Sequence, residues 1–473
     1  LSGIRSLWKE VLGKVPDPEV SFFEQGGTSL MAILILNRYH QKQYDFSIND
    51  FYRYPTLGAQ ERILCCGEQK RAESAERNSF QEKAGENNPA NEIFLKEELA
   101  EIPRRSTPGT ECICAPGAVL MTGAAGYLGS YILKKLLEYG SEKVYCLVRG
   151  REDRLKEVLD TYFDSGFYEK YAGRIQIVSG DITKEMFGLS PEIYECMARE
   201  VTRVFHCAAD VRHYAPKEEL IRTNSGGTAE VLRFVKTAGA ALMHMSTVSV
   251  AGNRLLEDPQ QPYVFGEADL DAGQNWQENP YVLSKILAEK RIDDAVKEGM
   301  HARIFRIGRL AANSYNGRFQ KNPESNAYYR LIKGIMELGM LPDILYQQTI
   351  ELTPVNQAAE AVVRLSSQTG GTYHIYCPYE LEVGPLAEAC APIERVPAEV
   401  FEYMLEKKMT QSGSPYIQAL AQVWFEGKSK RSTVRVSQEQ TLKRLEELDF
   451  WWQKPDINKQ KICFQEERSE DQV

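Results

Sequence analysis

The stretch from Gly117 to Gly140 constrains this chain more than any other. An apolar run, Ala118-Val-Leu-Met-Thr122, turns through Gly123-Ala124-Ala125-Gly126-Tyr127-Leu128-Gly129 directly into a helical pattern, SYILKKLLEYG. Glycines between a strand and a helix let the backbone turn tightly and approach a pyrophosphate closely. The free N–H groups at the helix N-terminus then favour its negative charge. Gly123, Gly126 and Gly129, with Tyr127 and Leu128 between the last two, are therefore candidate nucleotide-binding residues.

The runs that follow, KVYCLVR, RIQIVSGD, RVFHCAA, ALMHMSTVSV and ARIFRIG, are short, apolar and separated by helical patterns. Strands alternating with helices predict a doubly wound α/β domain, its parallel sheet covered on both faces. After about Leu310 the alternation weakens into helices with a little strand (TYHIYC), the pattern expected of a smaller, mostly helical substrate subdomain. At the other end, Ile4, Leu7, Trp8, Val11 and Leu12 recur at helical spacing before Pro16 and Pro18, opening a small helical bundle. The expected division is 1–66 for that bundle, 67–90 for a polar linker, 91–310 for the α/β domain, 311–460 for the subdomain and 461–473 for a charged tail. With 473 residues the chain is long enough for two to three such domains.

Charge and cysteine usage exclude several classes. A formal net charge of -9 argues against general binding of nucleic acid or anionic membrane, since both favour basic surfaces. No apolar stretch reaches the roughly 18 residues of a membrane span and no signal peptide is visible, so the cytoplasm is expected. The ten cysteines are scattered, and neither Cys65-Cys66 nor Cys112-x-Cys114 has partners completing a metal site; reduced thiols and no metal are expected. Leu1 falls inside a helical pattern, so the chain is expected to be a piece of something longer.

The second strand ends in Arg149, where an acidic residue would hold a ribose 2′-hydroxyl; arginine there suits the 2′-phosphate of NADPH, and Arg154 offers a second contact. Tyr281-Val-Leu-Ser-Lys285 places a phenol and an ammonium one turn apart on a predicted helix. A free phenol titrates near 10 and is a poor proton donor or acceptor at neutral pH; a neighbouring lysine is expected to bring it down. The strand end MSTVSV presents Thr247 to the same cleft.

Together, TGAAGYLG, HCAAD, TNSGGT, STVSVAG and YVLSK resemble an extended short-chain dehydrogenase/reductase, a Rossmann-type fold. Within that superfamily VYCLVRG and FRIGRL are similar to the thioester reductases that terminate nonribosomal peptide synthetases, polyketide synthases and carboxylic acid reductases. The similarity covers roughly residues 90 to 460. It implies Thr247, Tyr281 and Lys285 as the catalytic set, with Lys285 also holding the cofactor ribose, and Gly123, Gly126 and Gly129 as the phosphate loop. It further implies Arg149 as the 2′-phosphate contact, and Asp181, with Ile182 beside it, as the adenine-side contact. Ala208 and Ala209 match the strand end lining the cofactor, and Asn224 a position that supports the active-site helix. In such an enzyme NADPH reduces a thioester carbonyl, and the carrier thiol is expelled to leave an aldehyde, with a further reduction to an alcohol open.

Phe22-Phe23-Glu24-Gln25-Gly26-Gly27-Thr28-Ser29-Leu30 resembles the peptidyl carrier motif, whose serine receives 4′-phosphopantetheine. That implies Ser29 as the attachment site, a phosphopantetheinyl transferase as partner, and adenylation and condensation domains upstream. Three rivals stand beside this reading. A carboxylic acid reductase fragment would differ in its missing N-terminal domains. A decayed carrier module would have lost Tyr281, Lys285 or the glycines. A sugar-nucleotide epimerase would not need Ser29. His206 and the paired Trp451 and Trp452 are read as packing residues.

Overall fold

The computed structural model describes residues 2–22, 24–25, 31–32, 35–36, 38–39, 42, 44, 46, 50–51, 54–64, 117–212, 216–256, 262–276, 279–368, 370–429 and 432–465. Ser29 and the glycines before it, the 67–90 linker, and 466–473 of the tail lie outside them. The chain divides into two compact units, the first comprising Leu1–Glu97, Ala327–Tyr346 and Ala391–Arg431, the second Glu98–Asn326, Gln347–Cys390 and Ser432–Val473. Residues 311–460 are thus shared between both units.

In the first unit, helix α1 (Ser2–Leu12) turns Ile4, Leu7 and Trp8 inward, as its apolar spacing requires. Trp8 stands edge-on to Phe22 at 4.9 Å and stacked on Phe51 at 5.9 Å. Its indole N–H, which burial would otherwise orphan, donates to the Tyr39 hydroxyl at 3.0 Å, and that hydroxyl donates to Gln60 Oε1 at 2.8 Å. Helices α5 (Ala327–Leu338), α7 (Ala398–Gln411) and α8 (Pro415–Ser429) also belong to this unit. Helices α5 and α8 touch at Gly334, where a Cβ would stand 2.3 Å from the Tyr416 carbonyl oxygen.

The second unit is built on seven parallel strands: β1 (Ala118–Thr122), β2 (Val144–Val148), β3 (Ile175–Ser179), β4 (Val201–His206), β5 (Ala241–Thr247), β6 (Ala302–Ile307) and β7 (Gly371–Ile375). Their order is β7-β6-β5-β4-β1-β2-β3, so the winding direction reverses between β1 and β4. Residues of β1, β2, β5 and β6 are all buried, the reason these strands read as unbroken apolar runs rather than alternating ones. One face is covered by α2 (Tyr127–Tyr139) and α6 (Val355–Leu365), through Ile132, Leu136, Val355 and Val362. The other is covered by α3 (Gly227–Ala238), through Val231, Phe234 and Val235, and by the far end of α4 (Pro280–Lys297), through Ile292. Each such fully buried side chain contributes about 1.5–3 kcal/mol. No helix among the described residues is long and apolar enough to cross a membrane.

Candidate active site

A cavity of about 750 Å³ lies over the carboxyl ends of β1 to β4, where strand order reverses and an open sheet leaves a crevice. Its floor is the glycine loop. Gly123 has φ +72°, and a Cβ there would stand 2.5 Å from the Ala208 backbone nitrogen; one on Gly129 would stand 2.0 Å from the Gly123 carbonyl oxygen. Gly126 donates its N–H to Gly123 O at 2.9 Å and caps α2. Gly123 and Gly126 line the cavity, and Gly129 packs beneath them.

The Tyr127 side chain turns the other way. Its hydroxyl donates to Ala311 O at 2.9 Å, and its ring packs on Tyr131, Tyr162 and Phe319. Leu128 likewise packs against the core, and neither residue lines the cavity.

Arg149 and Arg154 line one wall together with Asp181 and Ile182. Both arginines are exposed, and neither makes an ion pair among the described residues. Burial pushes the Asp181 carboxyl up, but hydrogen bonds from Thr183 and the charges of Arg149 and Lys184 outweigh it and hold it below the usual range. Ala208 and Ala209 form the facing wall. Thr122 and Asp210, which open and close the TGAAGYLG and HCAAD stretches, also line the cavity, as do Arg222, Asn322 and Ser325, which no motif marks.

Asn224 does not face the cavity. It sits, 2% exposed, in a π turn (Arg222–Gly226) before α3. Its Oδ1 accepts from Asp210 N at 2.7 Å, and its Nδ2 donates to Ser284 Oγ at 2.9 Å. It thereby ties the loop after β4 to helix α4. His206 is buried between Thr122 and Thr228. Burial and the Lys285 charge bring it down to about 3, so it stays neutral.

Asn279 caps α4, accepting from the N–H groups of Tyr281 and Val282, so the helix starts where Tyr281 and Lys285 share one face. The hydroxyls of Tyr281 and Thr247 share a hydrogen bond. Thr247 Oγ1 also accepts from Ser249 N at 3.2 Å. Burial pushes the Tyr281 phenol up to about 12, with Thr247 opposing it. The downward shift expected from Lys285 is not seen in the resting site, where that ammonium donates to the Met245 carbonyl oxygen at 2.9 Å. Burial brings Lys285 itself down to about 8, against the charge of Glu289; Cys207 beside it is a neutral thiol, pushed up to about 12 by burial. Cys207 is a cavity residue, so the two parts of the site meet at the β4 end.

Residues 121–362, more than half of the chain, match the family model described as male sterility protein; residues 2–64 match the phosphopantetheine attachment site model. Among solved structures, a thiolation-reductase di-domain from an archaeal non-ribosomal peptide synthetase superposes with a TM-score of 0.73 at 26% identity, covering 98% of this chain and 96% of that one. Among curated proteins, a linear gramicidin synthase polypeptide of Brevibacillus parabrevis is 26% identical over 450 residues, 91% of this chain and 8% of its own length. L-2-aminoadipate reductase of Saccharomyces cerevisiae is 29% identical over 392 residues, 77% of this chain and 27% of its own. The chain therefore spans under a third of either relative. It belongs to the male sterility protein family, in the carrier-plus-reductase arrangement of nonribosomal peptide synthetases.

Proposed function

We propose that the chain releases a phosphopantetheine-tethered acyl or peptidyl thioester as an aldehyde, using NADPH. The observation that carries this reading is the pairing, in one chain, of a phosphopantetheine attachment domain with a Thr247–Tyr281–Lys285 group beside a glycine-floored cavity. The cavity suits a nicotinamide dinucleotide: its floor excludes any Cβ at Gly123, and the cationic Arg149 and Arg154 suit a 2′-phosphate. Bound there, the nicotinamide supplies hydride to the thioester carbonyl carbon.

The chain's own residues supply the rest. Tyr281, protonated at neutral pH, and Thr247 donate hydrogen bonds to the carbonyl oxygen as negative charge develops on it. Tyr281 then yields its proton. Lys285, cationic below about pH 8, favours the resulting phenolate. Departure of the carrier thiol leaves the aldehyde.

Ser29 is the attachment point on this reading, loaded by a phosphopantetheinyl transferase and fed by upstream adenylation and condensation domains in the cytoplasm. Similarity to L-2-aminoadipate reductase favours a second reading, in which the tethered group is a single amino acid rather than a peptide. One experiment addresses both. The carrier is loaded with aminoacyl or peptidyl phosphopantetheine, NADPH or NADH is added, and absorbance and product mass are followed. Acyl-dependent NADPH oxidation with aldehyde release is expected. NADPH binding without oxidation, across a range of loaded groups, would refute the assignment.

A further inference from the structure

Helix α4 carries a third polar residue in step with Tyr281 and Lys285: Glu289, one turn further on and wholly buried. Its Oε1 accepts from Ser246 Oγ at 2.5 Å and from Arg306 Nε at 3.1 Å, and its Oε2 accepts from Arg306 Nη2 at 2.8 Å. Arg306 is also without exposed surface. Its remaining donors reach Asp269 O at 2.7 Å and His374 Nε2 at 3.1 Å, and it lies over the Phe265 ring. Since arginine only donates, His374 Nε2 accepts; the proton on Nδ1 is then donated to Ser437 O.

Each side-chain nitrogen and oxygen of Ser246, Glu289, Arg306 and His374 has a hydrogen-bond partner. A buried ion pair of this kind adds little net stability over apolar side chains of equal volume, because desolvation offsets attraction. What it does add is geometry. Ser246 immediately precedes Thr247 at the end of β5, and the Ser246–Glu289 hydrogen bond fastens that strand end to the helix bearing Tyr281 and Lys285.

We propose that Glu289 is a positioning residue for the reductase site, braced by Arg306 and His374: it fixes the strand end that presents Thr247 and holds a negative charge one turn from Lys285. This rests on Thr247, Tyr281 and Lys285 being the catalytic group. The groups facing the Lys285 ammonium are Glu289 from its own helix, Cys207 and His206 from the end of β4, and the Met245 carbonyl from β5. Among them Glu289 carries the standing negative charge that favours the ammonium, against a burial penalty that brings Lys285 down to about 8.

The test uses the loaded full chain. Glu289→Gln risks misfolding by turning an amide towards Arg306, so the deciding variant is Glu289→Leu/Arg306→Met, which replaces the pair by apolar side chains. The expected result is NADPH binding like wild type, kcat lower by about 10- to 100-fold, and an alkaline midpoint of the pH–kcat profile displaced to lower pH. A folded double variant with unchanged kcat and midpoint overturns the proposal. Ser246→Ala removes the tether and leaves the charge: kcat is expected to fall with the midpoint in place, and wild-type kcat there overturns the tethering role. Absence of turnover in the wild type would instead refute the reductase reading, and is seen before any variant is made.

Discussion

The two ends of the site are made by different means. The proposed cofactor end is a backbone construction: Gly123 and Gly129 approach Ala208 and one another so closely that no side chain fits. The proposed catalytic end is a side-chain construction, in which Tyr281, Lys285 and Thr247 are buried and burial sets the protonation of the phenol and the ammonium. Close packing fails abruptly when an atom is added, whereas an electrostatic arrangement degrades by degrees and responds to pH. Four measurements probe that contrast.

The largest effect is expected from Gly129→Ala, whose Cβ would lie 2.0 Å from a backbone oxygen. NADPH binding by fluorescence titration should be lost and thermal stability reduced, by about 1–3 kcal/mol or more; a variant that binds like wild type would break the steric half of the comparison. Next, Tyr281→Phe should lower turnover by about 10²–10⁴-fold while NADPH affinity is retained. Arg149→Ala should weaken NADPH by roughly 10- to 100-fold, the worth of a charge-assisted contact, and leave NADH nearly unchanged. Equal loss for both would place the 2′-phosphate elsewhere, with Arg154 and Arg222 on the same cavity as the alternatives. The mildest effect is on pH: turnover should decline as pH rises through about 8, where Lys285 gives up its proton, while Tyr281, at about 12, stays protonated. A flat profile from pH 7 to 9 would remove Lys285 charge from the mechanism.

This contrast also separates what could be read in the sequence from what could not. VYCLV reads as strand because it is buried on both faces, and the glycine loop reads as a nucleotide site because its function is local to a dozen residues. Tyr281 and Lys285 were legible through their four-residue spacing. The same spacing reaches Glu289, yet a lone glutamate on a helix is most often a solvated one, and only the fold brings Arg306 to it from within an apolar strand. Asn322 and Ser325 reach the cavity from a loop far along the chain, which no local pattern announces. The strand in TYHIYC was visible, but not its membership of the main sheet, because parallel pairing of β7 with β6 is a long-range contact.

That pairing matters for anyone recombining domains of this family. The chain leaves the sheet-bearing unit after Asn326, returns at Gln347 to supply α6 and β7, leaves again after Cys390 and returns at Ser432. A single crossover near Leu310 would therefore exchange an edge strand and a covering helix along with α5, α7 and α8. Two matched cassettes, 327–346 and 391–431, are the units in which those helices can be traded between relatives while the sheet keeps its own sequence.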